Sequence, residues 1–336
     1  MKRCAVVVLN WNGEHHLRNF LADVISRSTE ADVVVADNGS TDGSVEYVES
    51  LAPSVRLIRL DRNYGFAEGY NRAIKQLAEY EYVVLLNSDV KVEEGWLQPL
   101  FARMESDGGI AAVGPKILDL NRPDHFEYAG AAGGYIDYLG YPFCRGRILD
   151  CCERDEGQYD DVREVFWVGG AAMCCRTSVF MALGGFCGEF FAHQEEIDLC
   201  WRMQLAGYRV VIEPSSRVWH LGGGTLQKSS ARKVYFNHRN NLAMLLRCAT
   251  PVQRLTVCVL RPFLDAAAAF SYLLGGDVQA MKAVVCAYRD FFGMHRLLQQ
   301  QRRKIRQQRR AESPNIYRGS IVLRYLLGRK VFKNLM

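Results

Sequence analysis

With 336 residues, 49% of them hydrophobic, the chain holds enough apolar material for one large core or two modest ones, which excludes a disordered chain and a staple-dependent miniprotein. The formal net charge of +5 is unevenly spread: residues 1–231 carry about −11 and residues 232–336 about +16. Two regions with different partners are implied.

The first ten residues place two basic side chains before an apolar run. The run is too short for an export signal and lacks a small-residue cleavage site before Trp11 and Asn12, so it reads as the first core strand. Short apolar runs (CAVVVLN, DVVVAD, VRLIRL, YVVLLN) then alternate with helix-like stretches at residues 14–27, 44–51 and 66–79. Runs of β-branched residues between helical patterns predict parallel strands joined by crossover helices, an α/β domain. From residue 108 to 160 the pattern loosens into glycines and aromatics, which suggests extended segments and loops covering the sheet. Order returns with two extended pieces around Gly169 and Gly170, a helix starting near Thr177, and a helix closing at Gly207, where a glycine stop is expected. The strand YRVVIEP follows and leads to Trp219 and His220. Beyond Arg232 come basic amphipathic helices, with charge clusters at residues 302–310 and 324–333. The eleven cysteines are odd in number, include the adjacent pairs Cys151/Cys152 and Cys174/Cys175, and show no CxxC spacing, which favours a reduced cytosol over a disulfide framework. The most apolar segment, residues 255–274, is interrupted by Arg261, Pro262 and Asp265 and is read as non-spanning.

In sheets of this kind ligands bind beyond the carboxyl ends of the strands. Asp37 ends the second strand and opens DNGSTDG; it could accept hydrogen bonds from a uracil or thymine imide or from ribose, or serve turn and cap chemistry with Asp42 and Ser44. Asp89, after Asn87 and Ser88, ends the fourth strand, where a carboxylate suits a hard divalent cation that completes its shell with substrate phosphates. Glu195, Glu196 and Asp198 gather at a helix start, where the dipole favours their ionised forms. Asp198 reads as the partner of Arg202 at i,i+4, and Glu196, behind the aromatic lead FFAHQ, as a catalytic base. His220 at a strand end, followed by Gly222, Gly223 and Gly224, could supply a nitrogen to the metal while backbone approaches a phosphate.

Together these motifs resemble the inverting GT-A glycosyltransferases of family 2, in particular the bacterial branch with rhamnosyltransferase-like enzymes of surface polysaccharide synthesis. The resemblance covers about residues 5–241 and is carried by VVVLNWNG, VVADNGSTDGS, NYGFAEGYN, VVLLNSDV, VGGAAMCCRTSVF, FFAHQEEIDLCWRMQLAGY and VWHLGGGT. It implies a mixed, mostly parallel central sheet flanked by helices. With the change of composition near Arg232, the chain divides into a catalytic domain at residues 1–231 (donor half 1–115, acceptor and base half 116–231) and a helical, basic, membrane-associating region at 232–336. It implies that Asn10, Asn12 and Asp37 hold the nucleoside. Asn63, Gly65 and Asn71 would line the donor site, with Asn87 and Ser88 leading the DXD-like motif. Asp89 and His220 would bind Mg²⁺ or Mn²⁺, and Trp167, Gly169 and Gly170 would face the acceptor. Glu196 stands where the family usually has its base aspartate, with Glu195 as the alternative, and Cys187 stands where an acid commonly follows GGF.

The implied reaction moves a hexose, with L-rhamnose one candidate, from a dTDP- or UDP-linked donor to a lipid-linked or polysaccharide acceptor at the cytoplasmic face of the plasma membrane. The basic C-terminal helices fit an anionic membrane surface; nucleic acid is not expected, since the basic cluster holds glutamines and no aromatics. A sugar-phosphate nucleotidyltransferase would carry a Gly-rich basic loop where this chain has Asn10, Trp11 and Asn12. A non-catalytic glycan- or nucleotide-binding subunit would not need Asp37, Asp89, Glu196 and His220 intact.

Overall fold

Val6, Val7 and Val8, Val33 to Val35, and Val83 to Leu86 are buried without exception, as strands covered on both faces require. The computed structural model describes residues 2–222, 231–312 and 316–335. Its first half runs β1 (Lys2–Asn10), α1 (Glu14–Ser26), β2 (Asp32–Asp37), α2 (Ser44–Ser50), β3 (Arg56–Arg59), α3 (Gly65–Lys75), β4 (Tyr80–Asn87), β5 (Val90–Val92) and α4 (Leu97–Ser106). β1 pairs in parallel with β2 and β4, and β2 with β3. Alternate residues feed different layers: Ala5 and Val7 pack with α3, whereas Val6 and Val8 pack with α1 and α4.

β6 (Ile110–Asp119) and β7 (Arg122–Phe126) come next, then a small antiparallel sheet of β8 (Gly134–Ile136), β9 (Pro142–Cys144), β10 (Arg147–Ile148) and β11 (Cys151–Cys152). The chain continues through β12 (Arg163–Glu164), β13 (Ala172–Arg176), α5 (Thr177–Ala182), a 3-10 turn (Gly188–Phe190), α6 (Glu195–Leu205) and β14 (Arg209–His220). The main sheet is ordered β12-β14-β6-β13-β4-β1-β2-β3. This corrects one expectation: the loosely patterned stretch from residue 108 does not simply cover the sheet, because β6 lies inside it between β14 and β13. Gly114, Pro115 and Lys116 disguise it. Lys116 is fully buried, and Asp155 at 2.8 Å and Asp160 balance its charge.

The C-terminal helices are α7 (Ala231–Cys248), α8 (Pro251–Leu274), α9 (Val278–Gly293), α10 (His295–Gln308) and α11 (Ile321–Leu326). The change of composition near residue 231 is not a break in packing: Ala243, Met244, Leu245 and Cys248 of α7 share one core with Trp201 and Leu205 of α6. Phe332 closes against the rings of Tyr135, Phe143 and Tyr159. The apolar segment with charges at residues 261 and 265 lies in one helix of 24 residues, long and apolar enough to cross a membrane by length and composition. Arg261 and Asp265 do not interrupt it. They are buried on its inner side, paired with each other at 3.3 Å.

Phe236, Leu242, Met244 and Leu245 are all buried; at about 2 kcal/mol each their loss would remove on the order of 8 kcal/mol, comparable to the whole stability of an ordinary domain. A chain ending at residue 231 is therefore expected to show no cooperative thermal transition. A transition close to that of the full chain would show the helices to be dispensable.

Candidate active site

The parallel register of β1 with β2 and β4 aligns Asn10 with Asp37 and Leu9 with Asn87, so the strand ends open on one edge of the sheet. Asp37 is buried; Asn10 Nδ2 donates to its Oδ1 at 3.2 Å and the Ser40 backbone N–H to its Oδ2 at 2.9 Å. Asn12, at φ +49°, donates its backbone N–H to Ser40 Oγ and accepts from the Thr41 N–H at 2.7 Å. Helix-start chemistry falls to Asp42, whose oxygens accept from the Glu14 and Ser44 N–H groups. Burial works against its ionisation, but these bonds hold its pKa below the usual value. Asp37 is thus a turn former that also sits at the strand edge. A Cβ on Gly13 would lie 2.4 Å from Asn10 Oδ1 and 3.6 Å from Ser88 Oγ, which puts Ser88 beside the same loop.

Asn63 accepts from the Gly65 N–H at 2.8 Å and from Asn38 Nδ2 at 3.2 Å. Asn38, which the sequence reading did not single out, also accepts from the Tyr64 N–H and so ties the two loops together. Gly65 has φ +77°, and a Cβ there would meet the Phe191 ring and carbonyl at 2.6 Å. The Asn71 amide clasps the backbone of Phe186 at both ends, donating to its carbonyl at 3.0 Å and accepting from its N–H at 2.8 Å. Asn63 and Asn71 therefore brace the backbone at Gly65 and at Phe186.

Asp89 and His220 meet. His220 Nε2 lies 3.1 Å from Asp89 Oδ1 and 3.3 Å from Asn87 Nδ2, and both residues are buried. The far ring nitrogen, Nδ1, has no hydrogen-bond partner and faces Glu127 Oε1 at 3.5 Å. Burial alone would lower the His220 pKa; the contacts with Asp89 and Glu127 outweigh it and raise it to about 10. Burial alone would raise that of Asp89, and the His220 contact brings it below the usual value. Glu127 is buried in the irregular stretch after β7 and carried no local sequence signal. Among the described residues no three His, Cys, Asp or Glu side chains converge to hold a cation by themselves. Two cis ligands of an octahedral Mg²⁺ or Mn²⁺, at bonds of about 2.1 Å, stand roughly 3 Å apart. The Asp89–His220 spacing and its carboxylate–imidazole donor set fit one shared cation with neutral His220, and Glu127 would orient the ring from behind. Gly222 packs against Glu127; Gly223 and Gly224 lie outside the described residues.

Glu195 and Glu196 open α6 after three left-handed non-glycine residues, Phe191, His193 and Gln194, at φ +62° to +72°. Such conformations cost about 1 kcal/mol or more each and need outside support. Asn240 supplies it: its Nδ2 donates to the carbonyls of Phe190, Ala192 and His193 at 2.8–2.9 Å. Gln194 donates to Asn237 Oδ1 and accepts from Asn241 Nδ2, and Asn241 Oδ1 accepts from Arg261 at 2.6 Å. Asp198 is fully buried between Arg202 and Arg247, each at 2.7 Å, so its role is structural, as the i,i+4 spacing indicates. The Oε2 atoms of Glu195 and Glu196 have no hydrogen-bond partner. Burial raises the Glu196 pKa to about 7; burial, and then the neighbouring Glu196 charge, raises that of Glu195.

Gly170 faces Glu196, since a Cβ there would sit 3.8 Å from the Glu196 Cβ and 3.2 Å from Phe66. Gly169 packs so tightly on the Ala129 carbonyl that a Cβ would come within 2.3 Å. Trp167 is corrected as an acceptor contact: it is buried in the core, stacked on Gly134, with its indole N–H donated to the Tyr135 carbonyl at 3.1 Å. Two bridges draw the ends of the cleft together. The Asn87 N–H donates to the Ala171 carbonyl at 2.9 Å, and the loop from Glu127 to Gly130 touches His220 at one end and Gly169 at the other. Cys187 is buried, with Glu189 Oε2 3.2 Å from its thiol.

This arrangement matches known proteins. The family model "Glycosyl transferase family 2" matches residues 5–143. The N-acetylglucosaminyl-diphospho-decaprenol L-rhamnosyltransferase of Mycobacterium tuberculosis is 30% identical over 259 residues, 71% of this chain and 83% of that protein. Staphylococcus aureus TarS 1-349 in complex with UDP superposes with a TM-score of 0.56 at 18% identity, over 97% of this chain and 92% of that one. GalNAc-T7 with UDP, GalNAc and Mn²⁺ gives 0.57 at 18% identity, over 74% and 48%. The chain belongs to glycosyltransferase family 2 and has the GT-A fold. It is a glycosyltransferase of glycan synthesis that draws on a nucleotide sugar.

Replacing Asn240 by Ala leaves the Ala192 and His193 carbonyls without their donor, while that of Phe190 keeps the Ala192 N–H and Arg239. The variant is expected to lose roughly 2–3 kcal/mol of stability in denaturant titration, with kcat falling at least tenfold. Wild-type values of both would show the loop to be self-supporting.

Proposed function

We propose that this protein is an inverting hexosyltransferase that moves a sugar, L-rhamnose or a related hexose, from a dTDP- or UDP-linked donor to a lipid-linked acceptor. What supports the reading is the pair of bridges that join Gly169 and Ala171, on either side of the Gly170 that faces Glu196, to the strand end bearing Asp89 and His220. The mycobacterial relative, which by name acts on a diphospho-decaprenol carrier, supports the acceptor class. Residues 1–231 would supply the chemistry, and the basic helices beyond them would hold the protein peripherally at the inner face of the plasma membrane.

In this reading Asn10, Asn12 and Asp37 take the nucleoside, and Ser88 lies beside them. Asp89 and His220 would hold Mg²⁺ or Mn²⁺, whose charge offsets that of the diphosphate leaving group. Gly170, having no side chain, leaves the space above Glu196 open to an acceptor hydroxyl. Glu196 takes the proton of that hydroxyl as its oxygen attacks the anomeric carbon, and a single displacement inverts that centre. The choice of Glu196 over Glu195 rests on exposure: Glu196 is half-buried and next to Gly170, while Glu195 is turned into the protein.

A carboxylate accepts a proton only when ionised, so a base with a pKa of about 7 makes kcat fall roughly tenfold per pH unit below 7. Glu196→Gln should lower kcat at least a hundredfold, keep donor binding within about a factor of two, and erase that acid limb. An unchanged rate and profile would move the base elsewhere. Asp89→Ala should abolish the stimulation of activity by added Mn²⁺ along with turnover; retention of both would remove Asp89 from the site.

A further inference from the structure

The outer side of α8 carries Val252, Leu255, Val259, Phe263, Phe270 and Leu274, each 53–73% exposed. Their spacing keeps them on one face of the helix over on the order of 33 Å. The opposite face is fastened to the protein. Arg261 donates to the Leu139 carbonyl at 2.9 Å and to Asn241, and Asp265 accepts from the Tyr288 hydroxyl at 2.6 Å. A continuous exposed stripe of this size marks a contact surface, and the fastening of the inner face means that α8 lies on its partner and does not pass through it.

At the start of the stripe, where α7 ends and α8 begins against α10, there is a cleft of about 130 Å³ lined by Arg247, Arg254, Arg302, Arg306 and Arg309. Arg302 is only 7% exposed and caps α7 through the carbonyls of Leu246, Arg247 and Ala249. The Nε atoms of Arg247 and Arg254 are buried without partners. Among the described residues, no carboxylate pairs with Arg254, Arg302, Arg306 or Arg309. Burial, with Arg254 and Arg306 crowding it, lowers the Arg302 pKa to about 10. Buried Arg302 and half-buried Arg254, flanked by exposed Arg306 and Arg309, attract an anion that guanidinium forks can grip from several sides, which describes a phosphate. The amino end of α8, capped by Thr250, adds its positive dipole end. The cleft is separate from the catalytic cleft: Leu205 lines it, and Glu196 lies on the order of 14 Å away along α6.

We propose that the arginine cleft binds the phosphate of an anionic membrane lipid, with α8 laid along the bilayer so that its apolar stripe enters the acyl region. The proposal deepens the membrane placement given above and rests on it, but not on the sugar transferred. Phosphate at the head of an apolar stripe is the arrangement of a phospholipid, so the lipid, and not free phosphate, is the committed source.

The test is flotation of the full chain with phosphatidylcholine vesicles, with and without phosphatidylglycerol. Binding should require phosphatidylglycerol and be reversed by alkaline carbonate. Arg254→Gln with Arg306→Gln, two side chains outside the catalytic cleft, should weaken it about thirtyfold, at about a factor of five per charge. Phe263→Ser with Phe270→Ser should abolish it. Both pairs should leave donor hydrolysis in vesicle-free buffer unchanged, which separates this result from any failure of the catalytic reading. Equal binding of the arginine variant, binding without phosphatidylglycerol, or resistance to carbonate would overturn the proposal. So would an arginine-dependent rise in Tm with inorganic phosphate but no flotation, which would assign the cleft to a soluble anion.

Discussion

Glu195 and Glu196 begin α6 side by side, withdrawn from water, and among the described residues neither makes an ion pair. Much of the surrounding architecture serves to keep them so. Arg202 and Arg247 are both taken by Asp198, one turn further along the helix. Desolvation is the largest influence on both glutamates and outweighs the backbone hydrogen bonds that favour their ionised forms. The left-handed backbone before α6 aims the pair, and the Asn240 amide on α7, with Arg239 and the Phe66 N–H, holds that backbone.

The other end of the cleft shows the opposite electrostatics. His220 sits between Asp89 and Glu127, so a proton there is favoured where at Glu196 an anion is disfavoured. One end suits positive charge and the other a neutral acid that can lose its proton near neutrality. A reaction that expels a diphosphate while taking a proton from a hydroxyl needs both environments within one substrate's length. The fold provides them by bringing the carboxyl ends of β4 and β14 together while α6 approaches from the helical layer.

The sheet edge was legible because its strands are uniform apolar runs ending in polar residues, so Asn10, Asp37, Asn87 and Asp89 could be placed by periodicity alone. Asp198 was legible through its spacing to Arg202. β6 was not, since Gly114, Pro115 and Lys116 interrupt its pattern and the compensation for Lys116 comes from Asp155 and Asp160, about forty residues on. Glu127 was invisible because only tertiary structure turns it toward His220. Trp167 was misread because membership of a motif says nothing about which way a side chain points. Asn240 and Asn241 did leave a trace: two adjacent amides before an apolar helical run are out of place unless they are buried for a purpose. The helical region was legible as basic, but the burial of Arg261 and Asp265 depends on partners in α9 and near residue 139.

An amide offers two N–H groups and one oxygen, and at Asn241 all of them are committed: to the Gly140 carbonyl, to Gln194 and to Arg261. A shorter side chain would not reach all three, and a carboxylate would have no hydrogen to give. In related chains these positions are therefore bound to drift as a linked set, each substitution tolerated only alongside changes at the others.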